Sequence, residues 1–172
     1  QVPLEVTAPL GPFSLLGLEA SFTIDIGDLR ARHLKISRWI HPDYFAASPE
    51  LRALAESNTG RLNGALEALE EPLSRADHLV ESLGGPSDAE VKDMPQAFLM
   101  EVLEWSEALE AAHSSESGSS EREAAFSLKS DLDAQRTLRL DAITTLLEPL
   151  PDPESEALSS ARRELNAVRY LD

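Results

Sequence analysis

The chain contains no cysteine, which excludes disulfide bonds, thiolate metal ligands and cysteine nucleophiles and fits a reducing compartment. No apolar run approaches the roughly 20 residues that a membrane-spanning helix needs. No basic segment followed by an apolar one indicates a secretory signal. Basic residues are also scarce, 15 against 31 acidic ones, so that the net charge is −16. Because nucleic acids and anionic membranes bind basic surfaces, this balance disfavours both as partners.

What is present is enough apolar sequence for a core, since 42% of the 172 residues are hydrophobic. Apolar residues recur at helical spacing, whereas no alternation typical of a strand lasts five residues. The sequence therefore predicts an all-α fold. The predicted helices run over 26–40, 51–70, 73–83, about 95–112, about 121–147 and about 154 to the end, with a flexible loop at 113–120.

The segment Gly84-Gly85-Pro86-Ser87-Asp88 is the best candidate for a domain boundary, because it combines helix breakers with small polar residues. It predicts an N-terminal domain over residues 1–83, a linker over 84–94 and a C-terminal three-helix bundle over 95–172. Residues 1–12 contain three prolines and no helical period, and we expect an irregular lead-in there.

The tripeptide His41-Pro42-Asp43 separates two of the predicted helices. Proline cannot continue a helix and also disfavours the helical conformation of the residue before it, so we expect a tight loop that presents His41 and Asp43 to solvent. The preceding helix carries the cations Arg32, Lys35 and Arg38 on one side, in an otherwise acidic chain. An exposed carboxylate beside basic residues can bind an arginine on a partner whose surface is otherwise acidic.

Other chemistry is less well supported at this tripeptide. Asp43 lies two positions from His41, which is a poor arrangement for orienting a general base, and no serine or cysteine nucleophile is evident nearby. The four histidines show no metal-ligand spacing. We therefore predict no catalytic residue, no metal site and no bound cofactor. The opposing interpretation is an ordinary solvated turn between two helices.

Helix, His-Pro-Asp loop and helix together resemble the J-domain, the module that stimulates the ATPase of seventy-kilodalton heat-shock chaperones. Further segments resemble the HscB-type J-proteins, which are co-chaperones of iron–sulfur cluster biogenesis. They are Phe13 to Leu18, Asn63 with Ala65, Glu71-Pro72-Leu73-Ser74-Arg75-Ala76-Asp77, Ala97 to Glu104, and Val168-Arg169-Tyr170-Leu171-Asp172. The resemblance runs from Phe13 to the end. Tyr44 is a departure, because bacterial members of that family often carry lysine there.

The helix predicted from Pro95 has two apolar groups. Phe98, Val102, Trp105 and Leu109 share one stripe, which we expect to pack within the bundle. Leu99, Met100 and Leu103 form a second group, bordered by Glu104 and Glu107. The pattern alone leaves this second group either wrapped by the bundle or available to a partner. The resemblance implies that it binds the iron–sulfur scaffold protein, with Tyr170 joining it from the last helix.

The resemblance implies a co-chaperone without enzymatic activity. Its J-domain would stimulate a chaperone of the DnaK/HscA type through His41, Pro42, Asp43, Arg32, Lys35 and Arg38. Its second domain would deliver a scaffold protein of the IscU type and so assist cluster transfer. The expected location is the cytoplasm, or the mitochondrion if the chain is eukaryotic. Three alternatives remain: a J-protein with another client, a hydrolase or lyase using His41 and Asp43, and a structural adaptor.

Overall fold

The computed structural model describes residues 11–113 and 118–171, which form helices and connecting turns without a strand. The predicted all-α class is confirmed. The helices are α1 Pro12–Leu15, α2 Ile26–Trp39, α3 Pro49–Glu70, α4 Pro72–Ser82, α5 Gln96–His113, α6 Gly118–Leu147 and α7 Glu156–Leu171, with a short 3-10 helix, Pro42–Phe45, between α2 and α3. The predicted irregular lead-in lies outside the described residues except for its last two positions. Of the predicted loop at 113–120, residues 114–117 lie outside the described residues, whereas His113 ends α5 and residues 118–120 belong to α6.

Side-chain caps explain where the N-terminal helices begin. Asp25 accepts a hydrogen bond from the Asp28 N–H at 3.0 Å and so starts α2. Ser48 accepts from the Leu51 N–H at 3.4 Å at the start of α3, where Pro49 occupies the first helical position. Glu71 accepts from the Ser74 N–H at 2.9 Å at the start of α4. Each cap satisfies an N–H group that has no partner within its helix.

The chain packs as two compact units, residues 1–79 and 80–172, and the division falls within α4. In the first unit α2 lies against α3. Leu29 of α2 is fully buried, as are Ala55 and Leu69 of α3. His33 Nε2 and Asn63 Oδ1 lie 2.9 Å apart and form a polar link between the same two helices. These contacts hold α2 against α3 and so fix the position of the last turn of α2, which leads into the tripeptide.

Arg75 is a structural residue of the first unit. Its side chain is 5% exposed, and its guanidinium carbon lies 5.6 Å from the centre of the Phe22 ring. Burial lowers the pKa of Arg75, and the charge of Glu71 acts in the opposite direction. The cation therefore contributes to the core through its contact with an aromatic face, a geometry that is favourable for arginine.

The second unit contains residues 84–94, which the sequence predicts as a linker, in addition to α5, α6 and α7. Side chains of α7 hold this segment. Arg162, which is fully buried, donates to the Pro86 carbonyl at 2.9 Å, and Asn166 donates to the carbonyls of Val91 at 2.9 Å and Asp93 at 3.0 Å. Because both residues hold backbone oxygens, the segment is anchored along the face of one helix.

Candidate interaction surfaces

The His41-Pro42-Asp43 loop is short and fixed by its own hydrogen bonds. The Asp43 N–H donates to His41 Nδ1 at 3.3 Å, and the Tyr44 N–H donates to the His41 carbonyl at 3.1 Å. The Asp43 side chain is 84% exposed, and its Oδ2 lies 3.5 Å from His41 Nδ1. The loop therefore presents a carboxylate to solvent while its backbone is held in a 3-10 helix, as a recognition element requires.

The three cations predicted for this surface differ in their surroundings. Lys35 and Arg38 are exposed on α2. Arg32, by contrast, donates to Asp28 Oδ2 at 2.7 Å and to the Gly17 carbonyl at 2.6 Å, so that it ties α2 to the turn after α1. Arg30, which borders the basic side of α2, forms an ion pair with Glu70 of α3. Lys35 and Arg38 are therefore better placed than Arg32 to meet a partner.

The second surface lies on α5, whose two apolar groups have different environments. Phe98 is fully buried, whereas Leu99, Met100 and Leu103 are 47%, 57% and 53% exposed. Glu104 and Glu107 are also exposed on this helix. The bundle therefore does not wrap the second apolar group. Three large apolar side chains within five positions form a patch that water covers unless a partner does.

Tyr170 lies beside α5, as its inclusion in the predicted surface requires. Its ring centre is 5.8 Å from that of Phe98, with an edge-to-face angle of 85°, and its side chain is 58% exposed. Trp105 packs on the same phenylalanine at 6.1 Å, also edge to face. Phe98 thus connects α5 to α7, and Tyr170 is an exposed aromatic side chain beside it on α7.

Sequence reasoning missed a buried arginine beneath α5. Arg139 of α6 is 7% exposed, and its guanidinium carbon lies 5.2 Å from the centre of the Phe98 ring. Its guanidinium nitrogens lie 3.8 Å from a carboxylate oxygen of Glu101 on α5 and 3.3 Å from one of Glu164 on α7. One cation therefore links three helices. A signal was present, because Arg139 shares the four-residue spacing of the buried Ile143 and Leu147.

The part of the chain that the structure describes contains no cluster of three histidine, aspartate or glutamate side chains able to hold a metal ion. No helix in it is both long and apolar enough to cross a membrane.

Comparison with known proteins gives consistent results for sequence and fold. Residues 94–172 match a family model described as the HSCB C-terminal oligomerisation domain. A co-chaperone protein HscB homolog from Bordetella petrii is 36% identical over 142 residues, covering 81% of this chain and 80% of that protein. Another, from Pseudoalteromonas atlantica, is 32% identical over 161 residues, covering 92% and 90%.

Solved structures give the same result. The crystal structure of human co-chaperone protein HscB matches with a TM-score of 0.71 and 26% identity, covering 97% of this chain and 78% of that one. Chaperone HscB from Vibrio cholerae matches with a TM-score of 0.68 over 94% of this chain and 91% of its own. At 24% identity, this second likeness is evidence for the fold alone.

Proposed function

Because the chain belongs to the HscB family of co-chaperones, we propose that it stimulates the ATPase of a seventy-kilodalton heat-shock chaperone of the HscA type and delivers an IscU-type scaffold protein to it. The observation that carries the first part is the exposed Asp43 carboxylate on its fixed loop, which follows the helix that exposes Lys35 and Arg38. The exposed patch on α5 supports the second part.

In the proposed mechanism, Asp43 accepts hydrogen bonds from an arginine of the chaperone. Charge-assisted bonds of this kind are short and strong, and here the acceptor is already oriented before binding. His41 holds the loop by accepting the Asp43 N–H, and Pro42 removes backbone freedom that would otherwise be lost on binding. Lys35 and Arg38 attract the acidic part of the same partner surface and accelerate the encounter.

The remaining roles follow from the same proposal. The chain contributes no reacting group, since ATP is hydrolysed by the chaperone, and the cluster is cargo that the scaffold carries. The proposed location is the cytoplasm, or the mitochondrion if the chain is eukaryotic.

The decisive experiment measures the ATPase rate of a purified HscA-type chaperone with an IscU-type scaffold, with and without this protein. Asp43→Asn preserves the size of the side chain but removes its charge, and we expect it to reduce stimulation by roughly ten-fold or more. The matched control is Asp133→Asn, which removes the same charge from an exposed position on α6 and should stimulate like the parent. Full stimulation by Asp43→Asn would refute the J-domain function.

A further inference from the structure

Two of the most exposed aromatic side chains in the described residues flank the His41-Pro42-Asp43 loop. Trp39, the last residue of α2, is 64% exposed, and Tyr44, in the 3-10 helix, is 72% exposed. The whole chain has two tryptophans, two tyrosines and five phenylalanines. A single exposed aromatic residue needs no explanation. Two of them within six positions, on either side of a proposed binding motif, indicate that both contact the same partner.

Tyr44 is held in place rather than loosely attached. Its N–H donates to the His41 carbonyl at 3.1 Å. Its ring centre lies 6.1 Å from that of His41, with the planes at 68°, an edge-to-face arrangement that is favourable for aromatic pairs. The ring therefore has a preferred orientation beside the tripeptide, which reduces the side-chain freedom that is lost when a partner covers it.

Trp39 extends the apolar surface onto the basic side of α2. It follows Lys35 by four positions, which places both on one side of a helix with 3.6 residues per turn. Leu34, 53% exposed, lies at the far edge of the same exposed arc. The cations Lys35 and Arg38 thus lie between two large apolar side chains. A purely acidic partner surface would match the cations but would leave these apolar groups without a complement.

We propose that Trp39 and Tyr44 contact the chaperone and set the affinity of docking through apolar contact. This inference rests on the proposed function. The complementary chaperone surface would be an apolar patch bordered by carboxylates, with the arginine that binds Asp43 nearby. Tryptophan and tyrosine are common anchors of interfaces, because they provide a large contact area with few rotatable bonds. The two aromatic residues determine how tightly the chaperone is held, whereas Asp43 triggers hydrolysis.

The test measures stimulated ATPase rate against concentration of this protein, using a purified HscA-type chaperone with ATP. We expect Trp39→Gln and Tyr44→Ser each to raise the half-saturating concentration about ten-fold, as for interface anchors, while the maximal rate is retained. Tyr44→Phe keeps the ring and should behave like the parent. The effect of Lys35→Gln should fade at high salt because charges are screened, whereas the effects of Trp39→Gln and Tyr44→Ser should persist.

The matched control is Phe126→Ser, which removes an aromatic side chain that is 78% exposed on α6 in the other unit and should leave the half-saturating concentration unchanged. Parental half-saturation by both Trp39→Gln and Tyr44→Ser, with Asp43→Asn inactive, would overturn this inference and leave the proposed function standing. A loss in Tyr44→Phe equal to that in Tyr44→Ser would overturn the apolar nature of the contact. Full activity of Asp43→Asn would instead refute the proposed function itself.

Discussion

At the residue scale, Gly85 shows most directly why one side chain type is required. A Cβ atom there would lie 2.7 Å from Val80 Cγ1 and 2.8 Å from both Leu158 Cβ and the Val80 carbonyl oxygen. The Gly85 N–H also donates to that carbonyl at 2.8 Å, so the backbone is held against it. Glycine permits this close approach between the end of α4 and the start of α7, and a methyl group would force them apart.

We therefore predict that Gly85→Ala lowers the free energy of unfolding of residues 80–172 by about 1–3 kcal/mol, as overpacking does. Urea denaturation followed by Trp105 fluorescence, in a Trp39→Phe background, would measure it, because Trp105 is then the sole tryptophan. The matched control is Gly64→Ala within α3, where a Cβ meets nothing within 4 Å. This second change should stabilise the first unit by about 0.5–1 kcal/mol in a circular dichroism melt. An unchanged midpoint for Gly85→Ala would contradict the packing argument.

At the element scale, local signals were sufficient to predict where most helices lie. The sequence predicts α2 over 26–40 and α3 over 51–70, against an observed Ile26–Trp39 and Pro49–Glu70. Caps, prolines and the apolar period act within a few residues of the chain, so they can be recognised without the fold. The sequence predicts the start of α6 at about 121, whereas the helix begins at Gly118, because serines do not exclude a first helical turn.

Long-range polar contacts were not predictable in this way. Arg162 binds a carbonyl 76 positions away, and Asn166 binds carbonyls 75 and 73 positions away. A sequence shows that an arginine occupies an apolar position in the helical period, but it does not show which oxygen compensates its burial. The anchoring of residues 84–94 on α7 can therefore be recognised only in the structure.

Asn166 allows a test of this anchoring. We predict that Asn166→Asp destabilises residues 80–172 by about 1–3 kcal/mol, because the carboxylate cannot donate to the two carbonyls and places a negative charge beside their oxygens. The same substitution at Asn63 is the matched control, since Asn63 Oδ1 lies 2.9 Å from His33 Nε2 and an aspartate keeps an oxygen at that place. Urea midpoints should fall for Asn166→Asp and hold for Asn63→Asp. Equal midpoints for the parent and Asn166→Asp would show that α7 does not depend on these hydrogen bonds.

At the scale of the whole molecule, the two candidate surfaces belong to different units of the chain. The loop at His41-Pro42-Asp43 lies in residues 1–79, and the α5 patch lies in residues 80–172. Any J-protein would carry the tripeptide, so we propose that it triggers the chaperone and that the second unit chooses the client. It follows that substitutions should separate the two activities, so that either surface can be inactivated while the other still binds its partner.

The corresponding experiment removes the α5 patch. We predict that Leu99→Ala combined with Leu103→Ala weakens binding of an IscU-type scaffold by about 2 kcal/mol or more in a calorimetric titration, as loss of interface anchors does. The same double variant should stimulate the chaperone ATPase like the parent when no scaffold is present. Asp43→Asn, by contrast, should lose stimulation of the ATPase but bind the scaffold like the parent.

The control for this prediction is Leu138→Ala, because Leu138 of α6 is 53% exposed, the same fraction as Leu103. It removes the same apolar group outside the patch and should leave scaffold affinity at the parental value. If the double variant keeps its helical content and still binds scaffold like the parent, the patch is not the scaffold site. A pull-down that then retains another client would favour a J-protein with a different cargo, because the tripeptide and its chaperone would still act in the same way.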